Sequence, residues 1–200
     1  MKLNSVRHFN FVSDHKSWSD KRDKAVWRGS GFQPNRLHLL DAHRWNTSCD
    51  IGMTKPRTGN ASYLVQPMTV KDQLDYKFVL CPEGNDVATN LKWVMSSKSL
   101  AVMPVPKFET WFMEGKLVAG QHFIDVSDDY SNLDERMEYY LTRPKEAMEV
   151  SREANEHVSQ FIDSKREYLI SLMVFRKYLA GCNELLDGSS DSSRTPFLKS

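Results

Sequence analysis

The chain has 200 residues, 40% of them hydrophobic, with 27 Lys/Arg against 26 Asp/Glu, which suits one ordinary globular domain with a helical appendage. No stretch approaches the ~18 consecutive apolar residues of a membrane span, and the start has no apolar core of a secretory signal. The three widely spaced cysteines (Cys49, Cys81, Cys182) give neither a disulfide framework nor a zinc pattern and point to a reducing compartment.

In chain order, residues 1–24 read as an irregular lead-in carrying an aromatic cluster (His8, Phe9, Phe11, Trp18). Ala25, Val26 and Trp27 form a short strand broken by Arg28, Gly29, Ser30 and Gly31. Pro34 opens a helix carrying Leu37, Leu39 and Leu40, since its missing N–H costs nothing in a first turn. A strand over 49–53 and an exposed loop over 54–62 follow, and Thr69 caps a short helix to Leu74. The pattern then gives a strand over 77–81, a helix over about 86–97 and a strand over 100–103 closed by Pro104 and Pro106. A short aromatic helix over 108–113, a strand over 122–126 and a helix opened by a Ser131–Asp134 capping box come next. From Pro144 to about Leu179 the period stays helical, with Leu169, Leu172, Met173 and Leu179 continuing one buried face, and residues 183–200 read as a disordered tail. Alternating strands and helices predict an α/β fold, a parallel sheet over 25–143 covered by C-terminal helices over 144–182.

Charge is placed unevenly: residues 1–60 hold eleven Lys/Arg and five Asp/Glu, and residues 128–170 hold six and eleven. A basic first half suits an anionic ligand or membrane surface. Two turns carry that chemistry. In the first, glycines let the backbone approach a ligand, Ser30 offers a hydroxyl and Arg36 a planar charged fork for a diphosphate. In the second, a strand runs through Gly84 into a helix, the arrangement that presents free N–H groups and a positive helix end to a phosphate. The second turn lacks both the lysine-bearing P-loop and the dinucleotide fingerprint, which disfavours ATP and NAD. The histidines have no zinc-type spacing, and Asp128 and Asp129 are adjacent rather than spaced as Asp-x-Asp, so no obligatory metal is expected.

Five blocks in order resemble glycosyltransferase family ninety: Lys-Ala-Val-Trp-Arg-Gly-Ser at 24–30, Tyr-Lys-Phe-Val-Leu at 76–80, Glu-Gly-Asn-Asp-Val-Ala-Thr-Asn-Leu-Lys-Trp at 83–93, Ser-Leu-Ala-Val-Met at 99–103 and Glu-Thr-Trp-Phe-Met-Glu-Gly at 109–115. The likeness is closest to the bacterial lipopolysaccharide-modifying branch, related to the protein O-glucosyltransferases, and covers about residues 5–180. It implies a Rossmann-like parallel sheet, the C-terminal, donor-binding half of a GT-B fold, with a UDP-sugar as donor substrate and a glycan or lipopolysaccharide as acceptor. On that analogy Arg28, Ser30 and Arg36 lie near the diphosphate. Gly84, Asn85, Asp86, Val87, Ala88, Thr89 and Asn90 wrap the donor, and Lys92 is the basic residue that follows. Glucosyltransferase members often carry arginine where this chain has Asn90.

The resemblance also implies a further N-terminal domain supplying the aspartate that acts as general base; no residue here matches it. By type alone, Asp125, Asp128, Asp129, Glu109 and Glu114 are carboxylate candidates. The implied setting is cytoplasmic, with peripheral contact at the inner membrane face and no nucleic-acid partner. The alternative reading is a non-catalytic nucleotide- or glycan-binding module, or one half of a split enzyme.

Overall fold

The computed structural model describes residues 10–30, 33–55 and 61–188, with side chains as far as 182. Five strands make one sheet in the order β2-β1-β3-β4-β5: β1 (Arg22–Gly29), β2 (Cys49–Met53), β3 (Tyr76–Leu80), β4 (Leu100–Met103) and β5 (Ile124–Asp125). Every neighbouring pair is parallel. The helices are α1 (Pro34–His43), α2 (Val70–Gln73), α3 (Leu91–Met95), α4 (Leu133–Leu141), α5 (Pro144–Ser159) and α6 (Ser164–Gly188). This is the Rossmann-like α/β sheet with C-terminal helices that the alternating pattern and the resemblance together imply.

Parallel strands covered on both faces are apolar throughout, and successive side chains go to opposite faces. Ala25, Trp27, Phe78, Leu80, Leu100 and Val102 enter one core with Leu39 and Leu40 of α1 and Leu133, Met137 and Tyr140 of α4. Val26, Val79, Ala101 and Met103 enter the other, against Leu91, Val94 and Met95 of α3 and Ala154 and Val158 of α5. Thr69 caps α2 in a reciprocal box with Asp72, as its sequence suggests.

Several elements differ from their sequence reading. β1 starts at Arg22, and residues 10–21 are anchored rather than loose: Lys21 Nζ is buried on Asp14 Oδ2 at 2.8 Å, and the Asp14 carboxylate also accepts the N–H of Lys98. The aromatic stretch ends in a 3₁₀ turn (Glu114–Lys116) instead of a helix, with Met113 left-handed at φ 58°. Asn132, not Ser131, precedes α4, and Asp134 accepts from the Asn46 amide rather than closing a capping box. The long C-terminal pattern divides into α5 and α6, and α6 continues through Gly188, beyond the 182 expected for the end of the helical segment. His8, Phe9, Gly31, most of the 54–62 loop and residues 189–200 lie outside the described residues.

The largest difference is on α6. Its predicted buried face is exposed: Leu169, Leu172, Met173 and Leu179 all face solvent, with Met173 71% accessible, and Tyr168, Val174, Phe175 and Tyr178 are exposed beside them. An apolar surface of this kind associates in water. Sedimentation of the chain alone is expected to show a coefficient rising with concentration, and Met173→Lys with Tyr178→Lys to return it to a monomer. A concentration-independent monomer for the parent chain would contradict this.

Candidate functional site

β1 and β3 are neighbours, but the chain leaving β1 crosses to β2 on one side and the chain leaving β3 crosses to β4 on the other. In an open α/β sheet this divergence opens a crevice beyond the C-terminal strand ends. A cavity of about 410 Å³ lies there. Trp27, Arg28, Gly29 and Ser30 line it from the end of β1, Gln33 and Arg36 from the start of α1, and Gly84, Asn85, Asp86, Val87, Thr89 and Asn90 from the segment after β3. Gly29 and Gly84, 55 residues apart in sequence and each in one of the two glycine-broken turns, therefore face one space.

Arg36 holds them together. Its guanidinium donates to the carbonyl oxygens of Ser30, Pro82 (3.3 Å) and Glu83 (3.1 Å), so one side chain ties the β1 turn to the β3 turn. Carbonyls do not cancel its charge, and among the described residues three bonds leave two of its five donors for a ligand. Burial pulls its pKa below the ordinary value, opposed by the nearby Asp86 carboxylate and Tyr130; an arginine stays protonated through such a shift. Gly84 is what allows the approach, since a Cβ there would sit 2.9 Å from Arg36 Nη2. Gly29 plays the same part for Trp27, whose indole would lie 2.3 Å from an added Cβ and which packs beneath the Arg36 guanidinium at 5.8 Å.

The loop between β3 and α3 supplies neutral donors. Asn85, Asp86, Thr89 and Asn90 favour turns over helix. The Asn90 amide reaches back to the Leu80 carbonyl at 2.9 Å, and Gly84 N–H donates to the Asp86 carbonyl at 2.9 Å. These local bonds keep the chain out of helical geometry until Leu91, five residues later than the periodicity predicts. A five-residue helix has little dipole, so the expected positive helix end is replaced by loop amides. Among the described residues, none of the backbone N–H groups of residues 85–90 has an acceptor.

The other expected cations do not serve the cavity as free charges. Arg28 lies at its edge, but its guanidinium bonds Asp50 Oδ1 at 2.6 Å and the carbonyls of Asp50 and Gln66. Lys92 is buried in the second core, 3.4 Å from Glu114, and does not line the cavity. Ala88 is a core residue, 2% exposed, and does not line the cavity. Among the described lining residues, the cation with no salt-bridged carboxylate is thus Arg36, with Asp86 in electrostatic range. Gln33 is a lining residue that sequence reading passes over: its amide donates to Asn85 Oδ1 at 3.0 Å, while its own Oε1 is buried without a partner among the described residues. Its place just before a helix-opening proline was the available signal.

None of the five carboxylates considered as a base lines this cavity. Asp125 is bound by Arg136, Asp128 by Lys107, and Glu114 by Lys92 and Thr110. Asp129, held down to about 2 by the hydroxyl of Ser127 and the N–H of Ser131, shapes its own turn. Glu109 packs near Gly115.

Comparison with known proteins adds a family. The sequence profile described as Glycosyl transferase family 90 matches residues 4–181. The O-glucosyltransferase LpsA of Dichelobacter nodosus is 39% identical over 180 residues, covering 90% of this chain and 57% of that protein. Protein O-glucosyltransferase 3 of Homo sapiens is 23% identical over 172 residues, 81% of this chain and 33% of its own, and Protein O-glucosyltransferase 2 of Danio rerio is 23% identical over 170 residues, with 80% and 33% covered. The chain thus spans between a third and somewhat over half of these relatives' lengths.

Proposed function

Since the chain belongs to glycosyltransferase family 90, we propose that it binds a nucleotide-sugar donor, a UDP-sugar, through its diphosphate in the crevice beyond β1 and β3. The sugar is transferred to a hydroxyl of a glycan of the lipopolysaccharide type. The observation that supports this most is the convergence of the two turns on one cavity, with Arg36 bonded to both and the amides of 85–90 without acceptors among the described residues.

Glycosyl transfer to a hydroxyl leaves negative charge on the departing diphosphate. Donors already in place lower that barrier because they need no reorganisation as charge develops. We assign that part to the backbone amides of the lining residues Asn85, Asp86, Val87, Thr89 and Asn90, the Ser30 hydroxyl and the remaining N–H groups of Arg36. These donors and the Arg36 charge hold the diphosphate by hydrogen bonding, and on this reading donor binding needs no obligatory metal. The acceptor's proton must go to a carboxylate within hydrogen-bond reach; we assign that base to the part of the relatives' length that this chain does not span. A cytoplasmic site with peripheral contact at the inner membrane face suits such an acceptor. Among the described residues no helix is long and apolar enough to cross a membrane.

Calorimetric titration tests the reading. UDP is expected to bind with a dissociation constant below about 1 mM, the upper end of ordinary enzyme–substrate affinities, and to bind equally well with EDTA present. A folded chain that takes up no UDP at millimolar concentration would discard it. Transfer or hydrolysis of a UDP-sugar by this chain alone would move the base into these 200 residues.

A further inference from the structure

A second cavity of about 260 Å³ adjoins the first. Neighbouring residues divide between the two: Gln33, Arg36 and Gly84 line the first, Pro34, Asn35 and Glu83 the second. The wall between them is fixed, because the Glu83 carbonyl accepts from both Asn35 Nδ2 at 2.8 Å and Arg36 Nε at 3.1 Å. The second cavity opens between the first turns of α1, where it meets His38, and the segments that leave β4 and β5, where it meets Lys107 and Asp128.

Its chemistry is unlike that of the first. Lys107 and Asp128 pair at 2.8 Å, and the Glu83 carboxylate accepts the N–H of Lys107 at 3.0 Å, so no cation is left in excess and a phosphate gains little. Two carboxylates with further lone pairs can accept from hydroxyls, and an imidazole and an amide can donate to them or accept from them. Pro34 and Pro104 add apolar surface that suits the C–H face of a ring. The Tyr130 hydroxyl is buried without a partner among the described residues, in electrostatic range of Arg36, Glu83 and Asp128. The volume lies under the roughly 300–1,000 Å³ of sites for drug-sized ligands, which suits part of a ligand rather than a whole one.

We propose that this cavity holds a vicinal diol on a sugar ring joined to the diphosphate bound next door, with His38 and Asp128 as its exposed hydrogen-bonding edge. The proposal rests on the donor reading above. Two rings of a nucleotide sugar carry such a diol, the ribose and the transferred sugar, and the same experiment tells them apart.

His38→Ala and Asp128→Asn alter exposed side chains and leave the Arg36 contacts in place; an unchanged melting temperature checks the fold. Each variant and the parent are titrated with UDP, 2′-deoxy-UDP and UDP-glucose. If the transferred sugar occupies the cavity, the variants lose five-fold or more in affinity for UDP-glucose and bind UDP as the parent does. If the ribose occupies it, UDP and UDP-glucose both weaken five-fold or more, while 2′-deoxy-UDP binds parent and variants alike. Unchanged affinity for all three ligands, or equal weakening of all three, overturns the proposal while leaving the diphosphate site standing. A parent chain that binds none of the three overturns both.

Discussion

Arg36→Ala is expected to weaken UDP binding ten- to a hundredfold, and Arg36→Lys to recover only a small part of that loss. Hydrogen bonds to charged groups contribute about 1.5–3 kcal/mol each, and Arg36 makes three of them before any ligand arrives. The alanine variant loses the positive charge and also the tie between the Ser30 turn and the Pro82–Glu83 turn. Lysine keeps the charge but not the planar fork that reaches three carbonyls from one stem. The pair of variants therefore separates electrostatics from positioning. Full rescue by lysine would make Arg36 a point charge; no effect of alanine would remove it from the site. Gly84→Ala is a weaker form of the same test. Gly84 has no left-handed φ, so the new methyl acts only by displacing Nη2 from 2.9 Å. Calorimetry on the three variants, beside thermal melts, reads both effects.

The convergence of the two turns was legible because each carries its own local signal, glycine after an apolar strand, and because alternating strands and helices place strand ends on one edge of a parallel sheet. The roles of the cations were not legible. Arg28 and Lys92 look available in sequence, but their partners, Asp50 and Glu114, each stand 22 residues away, and only the folded chain brings them together. The start of α3 was misplaced for a related reason. Val87, Leu91 and Val94 fit a helical period, yet Asn90 bonds the Leu80 carbonyl across the turn, a contact that periodicity does not see. The α6 face failed differently. Residues 168–179 are apolar on nearly every side, with Ser171, Arg176 and Lys177 the exceptions, so spacing alone could not say which side is covered. The second cavity had no motif at all, since its lining comes from four separate segments joined only by topology.

Glu114→Ala is expected to destabilise the fold by about 3–5 kcal/mol, the cost of removing one partner from a buried ion pair. Glu114 is 1% and Lys92 5% exposed, and the carboxylate also accepts the Thr110 N–H at 2.7 Å and its hydroxyl at 2.9 Å. The ammonium lies 5.2 Å from the Phe112 ring centre and 5.5 Å from that of Trp111, so its surroundings away from Glu114 include aromatic faces that attract it but do not replace a carboxylate. Combining Glu114→Leu with Lys92→Met takes both charges out of the core, and the double variant is expected to recover most of the stability lost by either alone. Denaturant melts of the four chains give the coupling directly, and additive effects would show that the two residues act separately. The pair also tests the assignment of Lys92. Its helix, α3, follows immediately on the 85–90 loop, so a lysine serving the donor would lower UDP affinity when replaced, whereas a lysine serving the core would lower the melting point. Lys92→Met is expected to do the second and not the first, whereas Arg36→Lys is expected to lower UDP affinity as well as loosening the tie between the turns: Arg36 lines the cavity, and Lys92 is buried against Glu114 in the second core.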